Sequence, residues 1–560
     1  MDQADIIVIG AGSAGAAVAG RISENPSIKV LLIEAGKDTP PGAVARDIRD
    51  TFPAAYFNPS YFWSGLTSVF AEGEAARLFP QPKIMGGGSS VMGMIALRGL
   101  PSDYDAWEQA GARDWGWRDV LPHFRAMTRD LDLPRGAQNT DGPNIVRRVP
   151  RDAWPAHMRR IEEAVKARGL VSHGDINETA QDGFFATPMS HDDERASSAR
   201  CYLTAAVRAR PNLTILSETS VQRIVFEGTR AAGVVVVRGG TSRIIAAREI
   251  VVSAGGVHSP AVLLRSGIGP ADTLQRLGIP PVADRRGVGK NYQNHTQLHF
   301  ALGLAPSSRL RPEQRHYAMT GLRISSQVEN CPAGDLFIYF GGRVSDRAFG
   351  TRMGMVAAAL YAPFSRGEVN LVSADPLVAP IVNQRLLSDP RDSARMLIVA
   401  RMAESLICDP ALRGTVEDAY LLPRDPPLRL YNGRGVSGGA KAAAAATLLR
   451  SPAALRRAML GLALKPGRII FDSRERFPIA DEEILASTGA MFHPTSTCAI
   501  GSESDPLAVV DPRCRVYGVS GVRVADASVM PKAPSANTNI PSIMIGERVA
   551  EFIRADWKGG

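Results

Sequence analysis

DIIVIGAGSAGAAVAGRISENPSIKVLLIE, residues 5–34, is the stretch whose reading decides the fold. An apolar run, Ile6 to Ile9, meets Gly10-Ala11-Gly12-Ser13-Ala14-Gly15. An alanine-rich amphipathic segment follows, and a second apolar run, Val30 to Ile33, ends at Glu34. The order is strand, glycine turn, helix, strand, acid. The glycines permit a tight turn and let backbone N–H groups approach a pyrophosphate, and the helix N-terminus adds a partial positive charge. Glu34 stands where a carboxylate can accept both hydroxyls of a ribose. The same charge disfavours a 2′-phosphate, so NADP is not expected. The motif alone leaves NAD and FAD open.

The rest of the chain sets limits on what surrounds this unit. Its 560 residues are too many for one core, so two or more domains are expected. No apolar run reaches the roughly 18 residues of a membrane span. The N-terminal MDQADIIVIG has no basic region and enters a strand almost at once, so no secretion signal is read. Cys201, Cys331, Cys408, Cys498 and Cys514 are odd in number, scattered and free of any C-x-x-C pair. Reduced thiols in a cytoplasmic protein are expected, with no disulfide framework and no metal site. The formal net charge is +9. With aromatics at 6% and most charge dispersed, a nucleic-acid partner is not expected. The exception is the acid-free segment from Arg434 to Phe471, with Arg434, Lys441, Arg450, Arg456, Arg457, Lys465 and Arg468. Ser451-Pro452 reads as N-cap and N1 of one helix there, and KAAAAATLL as another. A solvated helical pair is one reading. A lid, or a docking face for an acidic acceptor or an anionic membrane, is the other.

Three further stretches bear on the nucleotide. PKIMGGGSSVMGMIALRG, Pro82 to Gly99, cannot fill a stable helix or strand interior but can lie as a loop against a flat or phosphorylated ligand. EIVVSAGGVHSPAVLLRSGIGP, Glu249 to Pro270, reads as a second strand–turn–helix unit. In VRVADASVMPKAPSANTNIPSIMIGERVA, Val522 to Ala550, a strand ends at Asp526, a proline-rich loop follows and a helix starts near Pro541.

Taken in order, GAGSAG, GGGSS, SAGGVHSP, RRGVGKNYQNH (Arg285 to His295), FSRGEVNLVSADPLVAPIV (Phe364 to Val382), DASVMP and NTNIPS resemble the glucose-methanol-choline (GMC) family of FAD-dependent oxidoreductases. GLPSDYDAW (Gly99 to Trp107), LLSDPRD and ANTNIPS resemble its furanic- and aryl-alcohol oxidases. The resemblance implies a mixed α/β and α+β architecture. A Rossmann-like FAD domain would take residues 1–150, 190–295 and 480–560. A substrate domain on an antiparallel sheet flanked by helices would take 151–189 and 296–479. Alternating β-rich runs between 296 and 390, such as DLFIYFGGRV and GEVNLVSAD, agree with that split.

The implied cofactor site comprises Gly10, Gly12, Ser13, Ala14, Gly15, Glu34, Ala35, Gly86, Gly87, Gly88, Ser89, Met92, Gly93, Met94, Val221, Ala254, Gly255, Asp526, Ala527, Asn537 and Thr538. The resemblance makes His493, in MFHPTSTCAIG, the catalytic base, with Asn537 as its partner. An imidazole takes the hydroxyl proton of an alcohol as its α-hydrogen leaves as hydride to flavin N5. An amide can donate to the same oxygen without competing as a base. Phe492 would wall the pocket, while His258 and His295 are read as structural. The expected substrate is a primary alcohol, aromatic or furanic by resemblance, oxidised to the aldehyde with O2 or a quinone as final acceptor. The rival readings are a choline-type dehydrogenase, a non-redox hydroxynitrile lyase, and a protein that holds FAD without turnover. Two positions depart from the family pattern. Val91 stands where covalent members attach flavin through histidine, so noncovalent FAD is expected. Met92 stands where a hydrogen-bonding side chain is usual. Oligomeric state is left open.

Overall fold

The computed structural model describes residues 3–134, 141–347, 349–425, 431–433, 435–463, 469–472 and 479–558. Val30–Ile33 is buried throughout, as a continuous apolar run must be when a parallel strand is covered on both faces. It lies between Gln3–Ile9 and Leu213–Leu216 in a sheet of seven strands among the described residues. The order across the sheet is Ser220–Glu227, Arg230–Arg238, Thr241–Val252, Gln3–Ile9, Val30–Ile33 and Leu213–Leu216, and Val522–Val524 joins beside the end of Thr241–Val252. The long Thr241–Val252 strand serves two roles. Its first half pairs antiparallel with Arg230–Arg238, and its second half pairs parallel with Gln3–Ile9.

Register then places the functional loops. Ile9 pairs with Ile33 and with Val252, and Val252 pairs with Val524. These strands stop level with one another, so Gly10, Glu34, Ser253 and Ala525 follow in a row along the carboxyl edge, where open parallel sheets leave a crevice. The C-terminal helix Asn539–Lys558 packs along the glycine-turn helix Ser13–Ile22. A Cβ added to Gly546 would lie 2.6 Å from the Ala14 carbonyl, which shows how closely the two backbones approach.

The second large sheet has nine described strands, mostly antiparallel, with Thr296–Leu304, Met353–Leu360, Leu336–Gly341 and Ala318–Ile324 as its centre. Strand alternation separates its faces. Leu298, Phe300, Leu302, Ile338, Phe340, Val356, Ala358 and Leu360 form one apolar cluster with Met396, Val399, Ala400 and Ala403 of helix Pro390–Ile407. Ala301, Phe337, Tyr339, Met355, Ala357, Ala359 and Tyr361 belong to a separate cluster on the opposite face. The fold class expected from sequence is therefore present. The residue limits of the two domains remain a proposal, with the parallel strands in the first group of segments and the antiparallel sheet in the second.

Three local expectations change. GGGSS is not wholly loop: Gly88–Val91 closes one helical turn, because Ser90 Oγ donates to the Met85 carbonyl (2.7 Å) and Ser89 Oγ to Gly86 (2.6 Å). The basic segment forms helices Val436–Leu448 and Ala453–Ala463, but Ser451 donates back to Leu448 (2.6 Å), closing the first helix. Arg456 is not solvated. It is buried against Glu417 and Asp418, both at 2.9 Å, on strand Val416–Leu421, so it cannot serve an exposed basic face. Arg434, Lys465, Arg468 and the side chain of Arg457 lie outside the described residues. Among the described residues no helix is long and apolar enough to cross a membrane.

One buried ionic cluster fixes the helix that backs the antiparallel sheet. Arg395, fully buried, bridges Asp335 (2.9 Å) and Asp392 (2.6 Å). Asp392 also accepts from the Phe364 and Ser365 amides. Arg395→Leu leaves two buried carboxylates uncompensated. It should destabilise the protein by about 3–5 kcal/mol, read as a lower chemical-denaturation midpoint.

Candidate active site

At the carboxyl edge of the parallel sheet the glycines leave no room for side chains. Gly10 has φ +93°, and a Cβ there would sit 2.5 Å from the Ser253 carbonyl; one at Gly15 would sit 1.9 Å from the Gly10 carbonyl. Gly87 descends onto the turn, its Cβ position 2.9 Å from Gly12 Cα, while the Gly86 amide donates to the Ala11 carbonyl (2.7 Å). The two glycine-rich motifs thus touch. Around added Cβ atoms at Gly12 and Gly255 there is open space, so both face a cleft. Glu34 is buried there. Its carboxylate accepts from the Ala11 amide (2.9 Å) and the Gly36 amide (2.8 Å), and burial still pushes its pKa up. The Thr219 amide donates to the Glu34 carbonyl (3.0 Å), which brings the start of Val221's strand alongside, and Ala35 lies between. Asp526 clamps the next two loops, accepting from the Gly255 amide (2.8 Å), Ser259 Oγ (2.5 Å) and the Ser528 amide (2.8 Å). Ala254 and Ala527 are held by this clamp. An acid facing a backbone-lined cleft beside two helix N-termini fits a flavin adenine dinucleotide.

A cavity of about 530 Å³ continues from this cleft. Ser13, Gly88, Ser89, Met92, Gly93, Phe492, His493, Asn537 and Thr538 all line it, joining residues from both ends of the chain. Met94 does not: it is buried in the apolar cluster of the antiparallel sheet. Val91 packs among Ile48, Ala55, Tyr61 and Ile84, while Met92 takes the cavity side.

His493 reaches the cavity because its segment is zipped to NYQNH. Met491 donates to the His295 carbonyl (2.9 Å), His493 N–H to Asn294 Oδ1 (2.8 Å), and Gln293 and Thr495 exchange backbone bonds. His493 Nδ1 lies 2.9 Å from His295 Nδ1, and its Nε2 lies 3.4 Å from Asn537 Nδ2. One polarity fits the three contacts that link Tyr361, Asn537, His493 and His295. Tyr361 O–H donates to Asn537 Oδ1 (2.8 Å), which turns the amide N–H₂ toward His493. His493 Nε2 must then accept, so its proton is on Nδ1 and donates to His295. Burial, with His295 adding repulsion, pulls the His493 pKa well below the ordinary 6.5, and burial brings His295 to about 4. The arrangement is a neutral imidazole with a lone pair on Nε2, backed by an amide donor.

His295, read from sequence as structural, is the hydrogen-bond partner of His493 and is stacked on Tyr361 at 4.8 Å. His258 instead stacks on Trp63. Tyr361, Gln297 and His299 escaped the sequence reading altogether. Phe492 walls the cavity, packed on Phe79 (5.8 Å) and Tyr56 (6.2 Å).

A glycine-lined cleft opening into an apolar cavity with a buried imidazole and amide fits a flavin-dependent oxidoreductase. Comparison with known proteins names the family. Models described as GMC oxidoreductase match residues 4–297 and 363–546, and the chain belongs to that family. It is 35% identical to 5-(hydroxymethyl)furfural oxidase of Methylovorus sp., over 98% of each chain. It is 32% identical to human mitochondrial choline dehydrogenase, covering 99% of this chain and 90% of that one. Among solved structures, pyridoxine 4-oxidase from Mesorbium loti superposes with a TM-score of 0.78 at 27% identity, covering 99% of both. The chain is an FAD-dependent enzyme whose relatives oxidise CH–OH groups.

The glycines supply a test of the cleft. Gly12→Ala adds a methyl into open space, so the protein should melt as before but bind FAD at least about tenfold more weakly, having lost backbone approach to a phosphate. Gly15→Ala collides with the Gly10 carbonyl and should lower the melting temperature itself.

Proposed function

We propose that this protein oxidises a primary alcohol with a flat aromatic or furanic body to its aldehyde, with O2 as the final acceptor and hydrogen peroxide as the second product. The observation that carries the reading is His493 Nε2 beside Asn537 Nδ2 (3.4 Å) on the wall of an apolar cavity that also reaches Ser13 at the dinucleotide cleft. FAD, when bound, supplies the two-electron acceptor for the substrate's hydride. Its holders would be Gly12 to Gly15 at the pyrophosphate, Glu34 at the ribose, and Gly88, Ser89, Met92 and Thr538 toward the cavity. Noncovalent binding follows from Val91, an alkyl side chain packed away from the cavity.

His493 takes the hydroxyl proton on Nε2, and its Nδ1–H···Nδ1 bond to His295 steadies the imidazolium that forms. Asn537 Nδ2–H donates to the substrate oxygen as negative charge develops. Tyr361 keeps that amide from flipping. Phe492, Tyr56 and Phe57 supply flat surface for an aromatic body. A quaternary ammonium substrate is less well served. Among the described lining residues Asp425 is the one acid, and it is paired with Arg77, while Arg424 is paired with Glu74, so no carboxylate of the lining is left to meet a cation. The identity to 5-(hydroxymethyl)furfural oxidase supports the same choice.

The test is anaerobic mixing of the flavin-loaded protein with benzylic, furanic, aliphatic and quaternary-ammonium alcohols, followed by air. Benzylic or furanic alcohols should bleach the flavin, and air should restore it with peroxide. His493→Ala should slow bleaching about 10²–10⁴-fold without loss of FAD. Because the base is neutral well below the usual histidine range, kcat/KM should stay level as pH falls to about 6.5 and decline only in more acid solution. Bleaching by no alcohol, or an undiminished rate in His493→Ala, would defeat the proposal.

A further inference from the structure

Strand Thr296–Leu304 alternates polar and apolar residues along its first half. Leu298 and Phe300 face the helices, and Gln297 and His299 face the cavity. The strand is flanked by small residues: Gln297 pairs with Ala359 and Gly489, and His299 with Ala357. On its other side His299 is joined to Leu422, whose amide donates to the His299 carbonyl (2.8 Å), and both residues line the cavity. Beyond Ala357 the next strand presents Tyr339, whose hydroxyl donates to Gln297 Oε1 (3.3 Å) and accepts from the Tyr317 hydroxyl (3.0 Å). With its oxygen so engaged, Gln297 has Nε2 left to donate into the cavity. His299 is neutral, burial having lowered its pKa to about 4, and it offers one N–H and one lone pair.

Position separates this pair from the base. His295, which touches His493, begins the same face of the strand, and His299 follows four residues later, roughly 13 Å along extended chain. Gln297 and His299 therefore line the cavity further along the strand than the residue that touches His493, where the end of the substrate remote from its reacting oxygen can reach them.

We infer that Gln297 and His299 form a recognition point for a second, uncharged oxygen substituent, a hydroxyl or a carbonyl, carried at the end of the substrate remote from the oxidised alcohol. The inference rests on the alcohol oxidation proposed above and narrows it from flat primary alcohols to bifunctional ones. A lone aryl or furyl ring would leave these two polar groups without a partner on the substrate, and a site built to hydrogen-bond a substituent discriminates against the analogue that lacks it. Gln297 donates to the substituent oxygen. His299 donates to a carbonyl or accepts from a hydroxyl. Neither carries the charge that a carboxylate would need.

The test uses matched pairs: benzyl alcohol against 1,4-benzenedimethanol, and furfuryl alcohol against 5-hydroxymethylfurfural, with wild type, His299→Ala, His299→Gln and Gln297→Leu, each loaded with FAD. Wild type should prefer the bifunctional member of each pair by about tenfold or more in kcat/KM. His299→Ala should abolish most of that preference through KM, leaving the monofunctional alcohols within about threefold, and His299→Gln should restore part of it by returning a donor. If wild type shows no preference, or if both members of each pair decline together in His299→Ala and His299→Gln alike, the inference is overturned while alcohol oxidation stands. If no alcohol reduces the flavin of wild type, alcohol oxidation is overturned and the inference with it.

Discussion

Level termination of four strands governs the molecule. Ile9, Ile33, Val252 and Val524 lie in register across the parallel sheet, so four loops from distant parts of the chain leave at one height. Backbone pairing allows no other place for Gly10, Glu34, Ser253 and Ala525. The close approaches follow from this. With Gly10 against Ser253 and Gly87 over Gly12, any Cβ at Gly10, Gly15 or Gly87 would meet backbone within 3 Å. The second glycine motif can descend on the first only because both lack side chains. Asp526 then ties two of the loops with one carboxylate.

The antiparallel sheet supplies the other half of the site by a simpler rule. Period-two alternation gives it one face for helix Pro390–Ile407 and one for the cavity. His295, at the head of strand Thr296–Leu304, stacks on Tyr361, at the tail of the neighbouring strand, and Gln297 and His299 follow along the same face. They are drawn into one polar line whose order is set by pairing register. The base belongs to neither sheet. It arrives on a loop zipped to the residues just before the strand, so its placement depends on both halves of the chain.

This division explains what could be read from the amino acids. The nucleotide unit was legible because its strand, turn, helix and acid are neighbours in sequence, and its physics is local. The antiparallel sheet was legible as alternation, though not its register. His493 and Asn537 could be named only by resemblance, since 43 residues stand between them and nothing local pairs them. The contact of His295 with His493 was not legible because the two lie in different segments. A signal was available in His295-Thr296-Gln297-Leu298-His299-Phe300: polar residues at alternate positions of a strand within a large chain must face something polar. Arg456 was misread for the opposite reason. A run without acids looks solvated until a strand elsewhere brings Glu417 and Asp418 to it.

The geometry of residues 491–493 shows why the base sits beside an aromatic wall. In regular strand, Phe492 and His493 would point to opposite sides. Both line the same cavity. The backbone achieves this by placing Phe492 at φ +61°, a conformation that costs a bulky residue about 1–3 kcal/mol. It is held there from both sides, by Met491 N–H on the His295 carbonyl and His493 N–H on Asn294 Oδ1. Asn294 is in turn fixed by Tyr292 and Gln384. The strain is therefore borne by hydrogen bonds from the same segment that supplies His295. The kink that turns Phe492 into the cavity and the contact that orients His493 arise from one stretch of chain, so a change in NYQNH would disturb Phe492 and His493 together.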